Sequence, residues 1–203
     1  MAKAQALCAA SPESYISHWI LRMQWQPVFE NPLIDKEVRA LSADQARRLL
    51  ASYLYRQFRL VRSFDQRYQS NLQDLFVRQL SVAVAGSAAG VELGIGEVYA
   101  AIPDTDEYAQ QEGAYAQNLM IALWYLLSFA HEPDTELLQA AANAALNNVD
   151  LLNHELDEHY DESAVVAREV VVVRQMLRRM RVGAACSGDV AADIADLAGG
   201  LAL

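Results

Sequence analysis

Asp150, His154, Glu155, Asp157, Glu158, His159, Asp161 and Glu162 form the densest cluster of chemistry-bearing side chains in the sequence. Imidazoles among carboxylates are the donor set that holds Zn, Mn or Fe, so a metal-dependent enzyme built on His154, His159 and the neighbouring carboxylates is one reading. The spacing disfavours it. His154 and His159 are five positions apart, about 140° round a helix of 3.6 residues per turn, whereas ligands on one face stand three or four apart. What the spacing does allow is Asp150 with His154 and Glu155 with His159, i to i+4 pairs of the kind that decorate a solvated helix. The paired Glu-x-x-His segments of di-iron bundles are absent.

The other candidates carry less. His131, beside Glu132 and just ahead of Pro133, fits the end of an apolar helix, where the dipole favours a cation. His18 beside Trp19 reads as a packed, hydrogen-bonded histidine. Cys8 and Cys186 lie far apart in Ala/Ser/Gly surroundings, neither a disulfide framework nor a metal spacing, and read as reduced thiols. No Gly-x-Ser-x-Gly occurs, and Gly90, Gly94 and Gly96 lack the lysine and the preceding strand of a phosphate loop. The sequence therefore assigns no catalytic, cofactor-binding or metal-binding residue.

The elements that must position these groups are helical. Apolar residues return at spacings of three and four almost throughout, while alternating runs and Asn-Gly or Asp-Gly turns are missing. Ser11, Pro12 and Glu13 open a first helix carrying Tyr15, Ile16, Trp19, Ile20 and Met23 on one face, and Pro27 closes it. Ser42 with Gln45 spells a capping box ahead of a helix reaching Val61, which carries Arg47, Arg48, Arg56, Arg59 and Arg62. Ser70 is expected to cap a third, Leu72 to Val84. Gly94 and Gly96 leave residues 91–102 ambiguous.

Pro103 and Asp104 restart the chain into a helix of about Thr105 to Ala130, apolar on nearly every side in its second half and so expected at the centre. Pro133 and Asp134 open the next, with its stripe from Leu137 to Leu156. Ser163 precedes a valine-rich helix, Ala164 to Arg181. The expectation is an all-α, single-domain bundle of about six or seven helices over residues 1–182, with a weakly ordered tail over 183–203.

Around the middle of the chain Glu97, Ala101, Ile102, Pro103, Asp104, Asp106, Glu107 and Tyr108 precede Gly113 and the long apolar helix. This order resembles the YjaG-like family of bacterial proteins, domain of unknown function 416, over roughly residues 91–156. Tyr53 to Arg67 lacks that family's cysteine-containing segment and its proline-tyrosine pair. The resemblance implies an all-helical cytoplasmic fold, and it brings no activity and no catalytic residue to this chain.

Composition narrows the function classes. With 53% of its 203 residues apolar and 21% charged, the chain has the material for a core. A net charge of −10 disfavours nucleic acid and anionic membranes, which reward lysine and arginine. No run approaches the roughly 18 apolar residues of a membrane span, and the weakly apolar Ala4 to Ala10 is too short for a secretory core, so a cytoplasmic location is expected.

The charge is also segregated. Residues 81–163 hold 15 Asp and Glu and no Lys or Arg, whereas residues 1–80 hold 11 Lys and Arg against 7 Asp and Glu. Two explanations stand side by side. Either the acidic helices pack beside the arginine-rich ones, or a one-sided acidic surface steers a basic partner protein or divalent cations. The expected function is a non-enzymatic helical binding or regulatory module acting through protein contacts, with a protein partner or as a homodimer through part of residues 115–130.

Overall fold

Ser42 shows how the sequence writes its helices. Its hydroxyl accepts from the Gln45 amide at 3.3 Å while the Gln45 side chain accepts from the Ser42 amide at 2.9 Å, the reciprocal pairing that the sequence spelled. The helix it opens is one of ten in a computed structural model that describes residues 25–156, 159–182, 189–201 and 203. They are α1 (Trp25–Phe29), α2 (Asp35–Arg39), α3 (Ala43–Tyr55), α4 (Phe58–Tyr68), α5 (Leu72–Ala85), α6 (Ala88–Ala100), α7 (Gln111–His131), α8 (Thr135–Leu156), α9 (Glu162–Val182) and α10 (Val190–Ala198). The described residues contain no strand and form one compact all-α domain.

Helix α7 is the axis of the bundle. Leu119, Met120, Leu123, Leu126 and Leu127 are fully buried, and α3, α4, α5, α6 and α8 pack around it. Burying each such side chain contributes roughly 1.5–3 kcal/mol, so a helix apolar on most sides belongs at the centre. Only three residues separate α7 from α8, which makes the two antiparallel neighbours. Asn148, fully buried on α8, fixes their register: it donates to the Tyr115 carbonyl at 3.0 Å and accepts from Asn118 at 2.9 Å.

The helix count exceeds the expected six or seven for identifiable reasons. The helix expected to run through Val61 breaks at Arg56 and Gln57. Both side chains turn into the core and find partners on other helices, Gln57 donating to the Ala145 carbonyl at 3.0 Å. Of residues 91–102, ambiguous by glycine content, 91–100 belong to α6, which Ser87 caps by accepting from the Gly90 amide at 3.2 Å. Its Gly94 backs onto the Gln79 side chain, where a methyl group would collide.

Pro27 does not end a helix but sits inside α1 within its first turn, where no intrahelical bond needs its missing N–H. Ser70 does not cap α5 by itself. Asp65, reaching across from α4, accepts from the Leu72 and Gln73 amides at 2.8 Å and from the Ser70 hydroxyl. The helix expected from Thr105 starts at Gln111, because Asp104 folds residues 104–108 into a turn by accepting from the Asp106 amide at 2.9 Å.

The tail expected over 183–203 also needs correction. Residues 183–188 lie outside the described ones, but Val190–Ala198 is a helix with Ile194 and Ala198 buried. Asp189 caps its start, accepting from the Ala191 and Ala192 amides, and Arg179 donates to the Leu197 carbonyl at 2.9 Å and the Gly199 carbonyl at 2.6 Å at its end. Alanine and aspartate that look like a weak tail in sequence thus serve as a capped, packed helix. The first helix proposed from Ser11 lies outside the described residues up to Gln24.

Candidate functional site

The antiparallel pairing of α7 and α8 brings two acidic stretches, far apart in sequence, to one end of the bundle. At the start of α7 stand Asp104, Asp106 and Glu107, all exposed, and half-buried Glu112. At the end of α8 and the start of α9 stand Asp150, Glu155, Asp161 and Glu162. The Tyr115 hydroxyl, on the first turns of α7, donates to Glu155 and ties the two stretches together. Gln117 adds a second tie within the first stretch, donating to the Pro103 carbonyl at 2.8 Å.

Two carboxylates of the cluster find tyrosine partners. Glu155 accepts from Tyr115 and Asp150 accepts from Tyr160, whose ring lies 5.6 Å from that of His154. His159 sits in a turn beyond the described end of α8, so it shares no helical face with Glu155. Asp157 and Glu158 lie outside the described residues. Among the described ones, no three His, Cys, Asp or Glu side chains converge as metal ligands would. His131 occupies the last turn of α7, exposed, as its sequence position implies. Cys8, Cys186 and His18 lie outside the described residues.

Arginine neutralises little of this end. Among the described residues, the acidic segment 81–163 makes two ion pairs with arginine: Arg67 with Glu112 at 3.6 Å and Arg78 with Glu97 at 2.9 Å. Arg168, the first arginine after the segment, donates to the Asn153 amide oxygen instead. The surrounding charge registers on the phenols. Neighbouring Glu107 holds Tyr108 above the usual tyrosine range, and burial followed by the bond to Glu155 does the same, more strongly, to Tyr115.

No family model, no curated protein and no solved structure matches this chain.

The strongest electrostatic feature is one the sequence reading missed. Arg56, with its side chain 3% exposed, forms a two-pronged pair with Glu169, 1% exposed, on α9. Tyr53 donates to the same carboxylate at 2.6 Å, and the Arg56 Nε donates to the Leu201 carbonyl at 2.8 Å. Every polar edge of the guanidinium thus faces an acceptor. Burial works against the charge on Arg56, but the Tyr53 and Glu169 oxygens more than offset it, so the guanidinium binds its proton more tightly than usual. Burial, then the Glu169 charge, keeps Tyr53 neutral far above its ordinary range.

The arrangement fixes a stability limit in alkali. A phenol in the unfolded chain ionises near pH 10. Tyr53 and Tyr115 are both raised above that in the fold, so their contribution is fully present below about pH 10 and is lost as pH rises through the folded values. The urea midpoint is expected to fall steadily from about pH 10 upward, and Tyr53→Phe to flatten part of that fall. A midpoint that stays level across the range would contradict this.

Proposed function

We propose that this chain is a non-enzymatic binding module whose acidic end engages a Lys/Arg-rich segment of a partner protein. The observation that carries the reading is the convergence of the Asp104–Glu112 and Asp150–Glu162 stretches through the Tyr115 to Glu155 bond, with a single arginine pair among the described residues, Arg67 to Glu112, against them. Unneutralised carboxylates on one pole focus a negative potential that accelerates encounter with a basic partner. The resemblance of residues 91–156 to the YjaG-like family accompanies the reading without assigning an activity, and a cytoplasmic site of action goes with it. No helix among the described residues is long and apolar enough to cross a membrane, which is consistent with a partner met away from the bilayer.

The test is titration of the protein with a lysine- and arginine-rich helical peptide, followed by anisotropy. Wild type is expected to bind with an affinity that falls steeply with salt. The quadruple variant Asp104→Asn, Asp106→Asn, Glu107→Gln, Asp161→Asn is expected to bind at least tenfold more weakly with an unchanged urea midpoint. All four side chains are exposed, and asparagine keeps the side-chain oxygen with which Asp104 and Asp161 accept backbone amides, so the fold is retained. Equal binding by the variant, or no binding by wild type, would overturn the proposal. So would a stoichiometric metal that disappears on changing His154 and His159 to Ala.

A further inference from the structure

Helix α9 turns most of its valines into the core, and its outward face is built on a different plan. Ala164, Ala167, Val171, Arg174, Arg178 and Arg181 recur at spacings of three and four, the seam along which one helix lies on another, and all of them are exposed. Val171, an apolar β-branched residue, is 52% exposed at the middle of the seam. The charge along it is polarised, with Glu162 exposed at its start and the arginines in its second half. Arg181 is held by Glu37 at 3.0 Å, whereas Glu162, Arg174 and Arg178 have no ion pair or side-chain hydrogen bond among the described residues.

A seam that is acidic and small at one end and basic at the other is its own complement. Laid antiparallel on a second copy, with Val171 beside Ala167 of that copy, it sets Arg174 opposite Ala164 and Arg178 one turn further on, so both guanidinium groups flank Glu162 of the other chain. Two-fold symmetry repeats the contact, which gives two acid–arginine clusters about an apolar centre. The alanines matter here, because a methyl group leaves room for an arginine stem to lie flat along the facing helix with its charge at the edge. The opposed dipoles of antiparallel helices add to the attraction. A uniformly basic or acidic partner would answer one half of the seam and repel the other.

We infer that this face of α9 is the contact between two copies of the chain, paired antiparallel through Glu162, Val171, Arg174 and Arg178. The inference deepens the reading of the acidic end and rests on it for Glu162, naming the second half of α9 in another copy as the arginine-rich segment. One helix pair buries less than the roughly 1,200 Å² of a standard interface, so the dimer is expected at about 100 µM protein and above.

Sedimentation velocity on the full chain tests it. In dilute salt a species of twice the monomer mass is expected to grow in between about 20 and 500 µM protein, and its dissociation constant to rise at least tenfold in about 0.5 M salt. Arg174→Glu with Arg178→Glu is expected to stay monomeric, as is Glu162→Arg, since each sets like charges across the seam twice. Mixed, the two variants are expected to dimerise with each other, because opposite charges then face one another in both clusters. A wild type that stays monomeric, charge variants that dimerise alone as wild type does, or variants that fail to pair when mixed would each overturn the inference. The basic-peptide titration separates it from the reading it extends. Peptide binding by a wild type that stays monomeric removes the dimer and leaves the acidic end standing, while a dimer restored by mixing, without peptide binding, supports the seam and removes the peptide site.

Discussion

Arg56→Ala is expected to destabilise the protein by about 3–5 kcal/mol, because it strands the Glu169 carboxylate in the core with one remaining donor, the Tyr53 hydroxyl. For a domain of this size that is a fall of roughly 10 °C or more in Tm. Arg56→Lys is expected to recover little, since an ammonium cannot reach both Glu169 oxygens and the Leu201 carbonyl from one planar fork. The informative partner is the double variant Arg56→Met, Glu169→Leu. Removing both charges and filling the space with apolar atoms is expected to leave the protein far closer to wild type than either single change. The loss should appear as a lower urea midpoint with an unchanged slope. An Arg56→Ala protein within about 1 kcal/mol of wild type would show that water reaches Glu169.

That network also marks where sequence reading stops. In sequence Arg56 reads as one of a row with Arg47, Arg48, Arg59 and Arg62, yet it stands seven positions after Leu49 and three after Tyr53, continuing the inward stripe of α3 at its C-cap. Glu169 stands four after Val165 and four before Val173, on the inward stripe of α9. Opposite charges, each inside an apolar stripe, were the available signal. What pairs them is the packing of α3 against α9, which no local pattern encodes. The break after Tyr55 has the same origin, since Gln57 turns inward to a carbonyl on α8.

The long periodic elements were legible because burial repeats every turn: the capping box of α3, the greasy centre of α7 and the stripe of α8 from Leu138 to Leu152 stand as read. Helix α10 was not, because its hold on the bundle comes from packing Ile194 and Ala198 into the core and from Arg56 and Arg179 capturing carbonyls near its end, contacts between residues far apart in sequence. For the candidate site, each acidic stretch was visible alone. Their convergence depends on the three-residue connection between α7 and α8, which folds the hairpin so that Tyr115 and Glu155 come level.

Gly113→Ala is expected to destabilise the protein by about 3 kcal/mol, reversing the usual benefit of alanine over glycine in a helix. Gly113 is buried in the first turn of α7, and a Cβ there would lie 2.0 Å from the Tyr108 carbonyl oxygen and 2.8 Å from its Cβ. Backbone cannot swing aside as a side-chain tip can. Nor can Tyr108 retreat freely, because its ring packs edge-on against Phe64 at 5.1 Å and Tyr68 at 4.8 Å. Gly96→Ala is the matched control: that site is exposed, with nothing within 4 Å of the added methyl, and is expected to gain about 0.5–1 kcal/mol. Denaturation of the two variants in urea gives the comparison directly, and a Gly113→Ala protein as stable as Gly96→Ala would refute the steric account. The displacement has a functional reading as well. Tyr108 follows Asp106 and Glu107 directly, so pushing its backbone moves half of the acidic end, and the variant is expected to bind the basic peptide more weakly even under conditions where it remains folded.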